Sequence, residues 1–196
     1  AGVTVNVPAN VENNGTTYTV NSIGEEAFYW DNVINVTLPE TIDSIYNSAF
    51  KSTKIVDLTL PSKLVYIGEY AFYSCSAMAE PVWSKNLAAI GDYAFYSCKK
   101  MASLTLPDSL RTVGRYSFAW CSGVTELQTG DGLQDIGPYG FFYCSGLTKA
   151  TMGGGMKQIG NYAFYKATKL QKLDLGNHVE TIGSSAFSGD TKIDAV

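Results

Sequence analysis

Apolar residues recur along this chain with one long period rather than with the short period of a single helix or strand. Phenylalanine stands at Phe28, Phe50, Phe72, Phe95, Phe118, Phe141, Phe164 and Phe187, at intervals of 22, 22, 23, 23, 23, 23 and 23 residues. Five residues before each lies Ile23, Ile45, Ile67, Ile90, Val113, Ile136, Ile159 or Ile182, and three before those lies Val20, Ile42, Leu64, Leu87, Leu110, Leu133, Met156 or Val179. A glycine follows the Ile column at Gly24, Gly68, Gly91, Gly114, Gly137, Gly160 and Gly183, with Tyr46 as the exception. The residue before each Phe is small, so the unit reads I-G-x-x-A-F. A segment of this length cannot bury its own apolar side, and it gains a core only by stacking on the next copy.

Within the unit, Val36-Thr37-Leu38, Leu58-Thr59-Leu60, Leu104-Thr105-Leu106 and Leu173-Asp174-Leu175 alternate as half-buried strands do, and Pro39, Pro61, Pro107, Gly130, Gly153 and Gly176 close such segments. Between Glu69 and Cys75, the spacing of Ala71, Phe72 and Cys75 predicts one or two turns of helix. The expected fold is an α/β solenoid of right-handed coils, with a parallel sheet on one face and short helical turns on the other, in eight repeats of 22–23 residues. We expect a single domain over 1–196, with repeats from 21 to 196. Residues 1–20 fall off the period: Val3-Thr4-Val5-Asn6-Val7 and Thr17-Tyr18-Thr19-Val20 flank Asn13-Asn14-Gly15 and read as a hairpin cap. Val196 is the first apolar position of what would be a ninth strand, so the C-terminal end is expected to be uncapped, with the natural protein continuing or pairing there.

Composition narrows the partners. The formal net charge of -4, with 16% charged residues, offers no basic footprint for neutralising phosphates, so nucleic acid is excluded as a partner class. No apolar run approaches the roughly 20 residues that cross a bilayer, and membrane insertion is not expected. The chain opens on Ala1-Gly2 without an apolar leader, which reads as a processed or excised form.

The unit I-G-x-x-A-F-x-x-C-x-x-L, as in Ile67-Gly68-Glu69-Tyr70-Ala71-Phe72-Tyr73-Ser74-Cys75-Ser76-Ala77-Met78, resembles the BspA-like leucine-rich repeats from about Tyr18 to Val196, with departures at Tyr46, Ser117 and Gly140. The resemblance implies an extracellular or cell-surface protein of the kind frequent in gut and oral bacteria and some mucosal protozoa. It implies adhesion to a protein ligand such as a host matrix or cell-surface protein. It carries over no catalytic residue and no defined adhesive motif.

Candidate chemistry is sparse. Cys75, Cys98, Cys121 and Cys144 are 23 residues apart and occupy one position in four coils, which reads as a ladder of buried free thiols. Disulfides between rungs are borderline in geometry, and four thiolates in a line cannot surround a zinc ion tetrahedrally. His178 is the sole histidine, so no metal site and no Ser-His or Cys-His pair is expected. Gly153-Gly154-Gly155 lacks the Lys-Ser/Thr of a phosphate loop and reads as a turn. Asn14-Gly15-Thr16 and Asn35-Val36-Thr37 match the glycosylation triplet, which matters only for a eukaryotic secretory source. No enzyme, cofactor or metal chemistry is expected.

Two surfaces remain. On the strand face, the outward column Thr37, Thr59, Val82, Thr105, Gln128, Thr151 and Asp174 is bland. The column two residues earlier, Asn35, Asp57, Glu80, Ser103, Glu126, Lys149 and Lys172, runs from acidic to basic. On the opposite face, Tyr70, Tyr93, Tyr116, Tyr139 and Tyr162 precede Phe by two, and Tyr29, Trp30, Tyr73, Tyr96, Trp120, Phe142, Tyr143 and Tyr165 follow it by one or two. Such rings either seal the seams between coils or offer binding hot spots. The candidate binding residues are therefore Asn35, Asp57, Glu80, Glu126, Lys149 and Lys172 on the sheet, and Tyr73, Tyr96, Trp120, Tyr143 and Tyr165 on the ridge. The leading expectation is a protein-binding module; a carbohydrate-binding module and a structural spacer of a longer surface protein are the alternatives.

Overall fold

A computed structural model describes residues 2–194, so Val196 lies outside the described residues. The coils stack as a parallel-strand solenoid whose three sides follow directly from the three parts of the repeat.

The Ile column forms the first side. Two-residue strands from Ser22–Ile23 to Thr181–Ile182 make an eight-stranded parallel sheet, and Val113 sits in register between Ile90 and Ile136. The second side is the strand face, where Ser103–Thr105, Glu126–Gln128, Lys149–Thr151 and Lys172–Asp174 form a four-stranded parallel sheet. Towards the N-terminus this sheet is interrupted: the coils carrying Thr59 and Val82 share only an isolated bridge. Pro81 accounts for part of the break. It replaces Leu in the inward column and has no N–H to give to the ladder; beside it the Thr105 amide donates to a Glu80 carboxylate oxygen at 2.6 Å, whereas the equivalent Val82 amide donates to the Leu58 carbonyl.

The third side departs from the expected helical turns. Among the described residues there is no helix, and the segment around each Phe is a ribbon of successive turns. In one coil the amides of Ala71, Tyr73 and Cys75 donate three residues back, to Gly68, Tyr70 and Phe72, while those of Tyr70, Phe72 and Ser74 donate forward to Asp92, Ala94 and Tyr96 of the next coil. A helix would keep every amide within the coil. Here the residues two before and two after Phe take left-handed φ, as at Tyr70 (55°), Ser74 (58°), Tyr116 (54°) and Trp120 (62°), and this turns alternate N–H groups along the stack. A non-glycine residue pays about 1–2 kcal/mol for that conformation, and the bond to the next coil offsets it. The apolar spacing that resembles a helix therefore comes from consecutive turns.

The count of eight repeats also needs correcting. The seven Phe–Phe stacks, at 5.1–5.3 Å, frame about seven turns, and the terminal Phe28 and Phe187 each stack on one side and are only half-buried. Between them Phe50, Phe72, Phe95, Phe118, Phe141 and Phe164 are fully buried with the Ile, Leu and Cys columns in one continuous core. Trp83 packs edge-on against Phe95 and Phe118 at 5.5 and 6.5 Å. The glycine column exists because coils approach closely: a Cβ at Gly114 would lie 2.6 Å from the Gly91 carbonyl carbon.

At the N-terminus the segment Val3–Asn6 is not part of the hairpin. It pairs in parallel with Val33–Thr37 and so covers the first edge of the strand face. The hairpin is Asn10–Asn13 with Thr16–Thr19, closed by Asn14 and Gly15 with φ of 51° and 77° as a two-residue turn requires.

Candidate functional site

The strand face brings together only part of its predicted set. Ser103, Glu126, Lys149 and Lys172 stand in register on adjacent strands, all exposed. Lys149 and Lys172 border a shallow recess of ≈ 450 Å³ with Leu173, Asp174 and Asp194. Asn35 lies on the separate N-terminal pair, and Asp57 is exposed outside any strand. Glu80 is engaged structurally, accepting from Thr105 N, from Ser103 Oγ at 3.1 Å and from Trp83 Nε1 at 3.1 Å. The acidic-to-basic column is thus not one continuous surface.

The turn face does form one. Because the ribbon repeats in register, Tyr70, Tyr93, Tyr116, Tyr139 and Tyr162 stack in sequence at 4.8, 4.9, 4.4 and 5.0 Å, with planes within 17° of one another. A second row runs beside it. Tyr73 stacks on Tyr96 at 4.8 Å; Ala119 interrupts the row; Trp120 then stacks on Tyr143 at 4.4 Å and Phe142 on Tyr165 at 5.3 Å. Contacts such as Tyr70–Tyr73 at 5.5 Å and Tyr139–Phe142 at 5.4 Å join the two rows. The predicted ridge residues Tyr73, Tyr96, Trp120, Tyr143 and Tyr165 all lie in this band, half-buried or, for Trp120, 40% exposed.

Stacking along the solenoid has a chemical consequence. The ring faces point at neighbouring coils, so what the ridge offers outward is ring edges and phenol groups. Partial burial, followed by neighbouring tyrosines, raises the pKa of Tyr96 and Tyr139, which therefore remain protonated donors at neutral pH. At the first coil Tyr29 (40% exposed) and Trp30 (71% exposed) make a tilted contact of 6.2 Å with each other and lie outside the stacked rows.

Three cations of the ridge were not singled out by the sequence reading. Lys51 Nζ lies over the rings of Tyr29, Tyr70 and Tyr73 at 5.4, 4.8 and 5.2 Å. The Arg115 guanidinium lies over Tyr116 and Tyr139 at 5.2 and 5.7 Å, and Lys166 Nζ over Tyr143 and Tyr165 at 5.5 and 5.7 Å. The available signal was their column: Lys51 and Lys166 occupy positions that hold aromatics in neighbouring coils.

The cysteines belong to the core. Cys75, Cys98, Cys121 and Cys144 are free and fully buried, and each thiol donates to the Phe carbonyl of the preceding coil at 3.1–3.2 Å. Burial pushes the Cys121 thiol up to about 12 and Cys75 to about 11, far from the thiolate that nucleophilic chemistry requires. His178 is exposed on a loop. In the glycine run, Gly154 N donates to Asp131 Oδ1 at 2.9 Å, while Gly153 and Gly155 press on the Gly130 and Asp131 carbonyls, so the run is shaped by coil packing. Among the described residues, no helix is long and apolar enough to cross a membrane, and no group of three His, Cys, Asp or Glu is placed to hold a metal.

Comparison with known proteins agrees with this architecture. The sequence profile described as BspA type leucine rich repeat region matches in six copies over residues 8–101 and 88–196. No curated protein matches the sequence significantly. Among solved structures, a leucine-rich repeat protein of T. pallidum superposes with a TM-score of 0.69 at 22% identity, covering 98% of this chain and 78% of that one. A leucine-rich repeat protein of Eubacterium ventriosum gives 0.73 at 23% identity, covering 92% of this chain and 50% of its own. A leucine rich cell surface protein of Faecalibacterium prausnitzii gives 0.59 at 18% identity over 98% of this chain and 74% of that one. At these identities the likeness establishes the fold alone.

Proposed function

We propose that this chain, which belongs to the BspA-type leucine-rich repeat family, is a non-catalytic protein-binding module that engages an extended partner segment through the aromatic ridge of its turn face. The observation that carries this reading is the aromatic band, whose first row runs unbroken from Tyr70 to Tyr162 while the strand face is interrupted. Tyrosine and tryptophan held rigid by their neighbours lose little side-chain entropy on binding, which is why such residues dominate interface energetics. The family, together with a structural neighbour described as a cell surface protein, supports placing the module outside the cell. Adhesion to a host matrix protein is the corresponding biological role. A neutral glycan is a poorer fit, because sugars pack on open ring faces and these faces are taken by adjacent coils.

An immobilised panel of purified extracellular-matrix proteins tests the assignment. For any protein that binds, the ridge variant W120A/Y143A should weaken binding at least tenfold, the loss of one hot spot of about 2 kcal/mol or more. The strand-face variant K149Q/K172Q should bind within twofold of the parent. Loss confined to the strand-face variant overturns the ridge as the site.

A further inference from the structure

From the ridge residues we infer that the partner segment is anionic: an extended, Asp/Glu-rich stretch of protein lying along the stack across Lys51, Arg115 and Lys166. The inference rests on the ridge being the binding face, as proposed above. Three observations support it.

First, the cations of the ridge are not tied up in ion pairs. Among the described residues Lys51, Arg115 and Lys166 make no ion pair; each is held over two or three tyrosine rings. A cation held beside aromatic rings keeps its charge and remains able to meet a carboxylate from its solvent side. A hydrogen bond donated by Lys166 Nζ to the Tyr143 hydroxyl oxygen, together with the neighbouring phenols of Tyr143 and Tyr165, raises the pKa of Lys166, so it stays charged.

Second, the aromatic groups of the ridge present the same sign outward. Ring edges carry the positive end of the aromatic quadrupole, and protonated phenols donate hydrogen bonds. Only two acidic residues, Glu69 and Asp92, lie on the turn face between Tyr46 and Ala167 against the three cations, and Asp92 accepts from Arg115 N at 2.7 Å. The chain as a whole carries -4, so the ridge is a local exception to an acidic protein.

Third, the acidic residues are concentrated elsewhere. Residues 1–50 contain Glu12, Glu25, Glu26, Asp31, Glu40 and Asp43 and no Lys or Arg. On the turn face of the first coil Glu25, Glu26 and Asp31 are exposed beside Tyr29 and Trp30. An acidic ligand is therefore repelled from the first coil and drawn to those that follow, which fixes its register.

The spacing limits the ligand. Lys51, Arg115 and Lys166 lie on the second, fifth and seventh turn segments, so at roughly 5 Å per coil they are about 15 and 10 Å apart along the stack. An extended peptide rising about 3.4 Å per residue meets them with acidic residues roughly four and then three positions apart.

Panning a random dodecapeptide phage library on the folded protein tests this. The expected result is a selected pool enriched in Asp and Glu, whose binding falls more than tenfold between 0.05 and 0.5 M salt. K51Q/R115Q/K166Q should lose that enrichment and K149Q/K172Q should retain it, with circular dichroism melts confirming that both variants fold. A pool of neutral or basic peptides that survives K51Q/R115Q/K166Q but is lost in W120A/Y143A overturns the anionic partner and leaves the ridge as the binding face. Binding of heparin that depends on the three cations, without peptide enrichment, overturns the protein segment. Enrichment that depends on Lys149 and Lys172 alone overturns both this inference and the ridge.

Discussion

The same substitution at two equivalent positions should give opposite results. Gly24 and Gly114 occupy one column of the repeat, and neither has left-handed φ, so alanine suits the backbone at both. They differ in what lies on the preceding side. A Cβ at Gly24 meets nothing within 4 Å, whereas one at Gly114 comes within 2.6 Å of the Gly91 carbonyl carbon and of Asp92 Oδ1, and within 2.7 Å of Asp92 N. Ordinary contact needs about 3.5 Å, so the coils must separate by most of an ångström there. Two hydrogen bonds bridge the contact, Gly114 N to Ile90 O at 2.9 Å and Arg115 N to Asp92 Oδ1 at 2.7 Å. Stretching both, at about 1 kcal/mol each, and overpacking by about 1–2 kcal/mol together put the cost of Gly114→Ala near 3 kcal/mol. For a chain of 196 residues that is a fall in Tm of roughly 6–12 °C. Gly24→Ala should be neutral or stabilise by up to about 1 kcal/mol, through the entropy of the unfolded chain. Urea titration followed by circular dichroism measures both, and Gly114→Ala should also lower the slope if the stack melts in two parts. Equal losses at the two positions would refute close coil approach as the reason for the glycine column.

Two further expectations concern buried titratable groups. Because the Cys121 pKa is raised by burial from 9.0 to about 12, the folded protein holds this proton where the unfolded chain releases it. Stability should therefore be fully present below pH 9 and fall as pH rises towards 12, and thiol titration at pH 8 should find no reactive cysteine until denaturant exposes four. Asp190 occupies the same ladder position in the last coil, with both carboxyl oxygens buried and unpaired, and burial raises its pKa from 3.8 to about 7. Its contribution is complete below about pH 4 and is lost as pH rises through 7, so Asp190→Ala should flatten that part of the stability profile; an unchanged profile would show that Asp190 is solvated.

Much of the core was legible because a 23-residue period leaves its mark on every coil: the Ile, Phe and Cys columns needed no knowledge of local geometry. The turn ribbon was not legible. Ala71, Phe72 and Cys75 have the spacing of a helix whether their amides bond within the coil or along the stack, and only the left-handed φ at Tyr70 and Ser74 separates the two. The break in the strand face did have a signal, in Pro81 at a position that holds Leu in neighbouring coils. Of the candidate site, the aromatic columns could be read directly. That their faces are stacked, and that Lys51, Arg115 and Lys166 lie over them, depends on side-chain direction, which periodicity does not encode.

The alternation of amides in the turn ribbon also bears on how such a stack can lengthen. In one coil Tyr116, Phe118 and Trp120 point their N–H dipoles towards the next coil, while Arg111, Gly114 and Thr125 point theirs back to the previous one. An α-helix aligns its peptide dipoles and accumulates partial charge at its ends. Here the forward and backward rows oppose one another within every coil, so adding or deleting a coil leaves the axial field almost unchanged. Copy number is then free to vary without an electrostatic penalty, and the reach of the ridge can be adjusted in steps of about 5 Å.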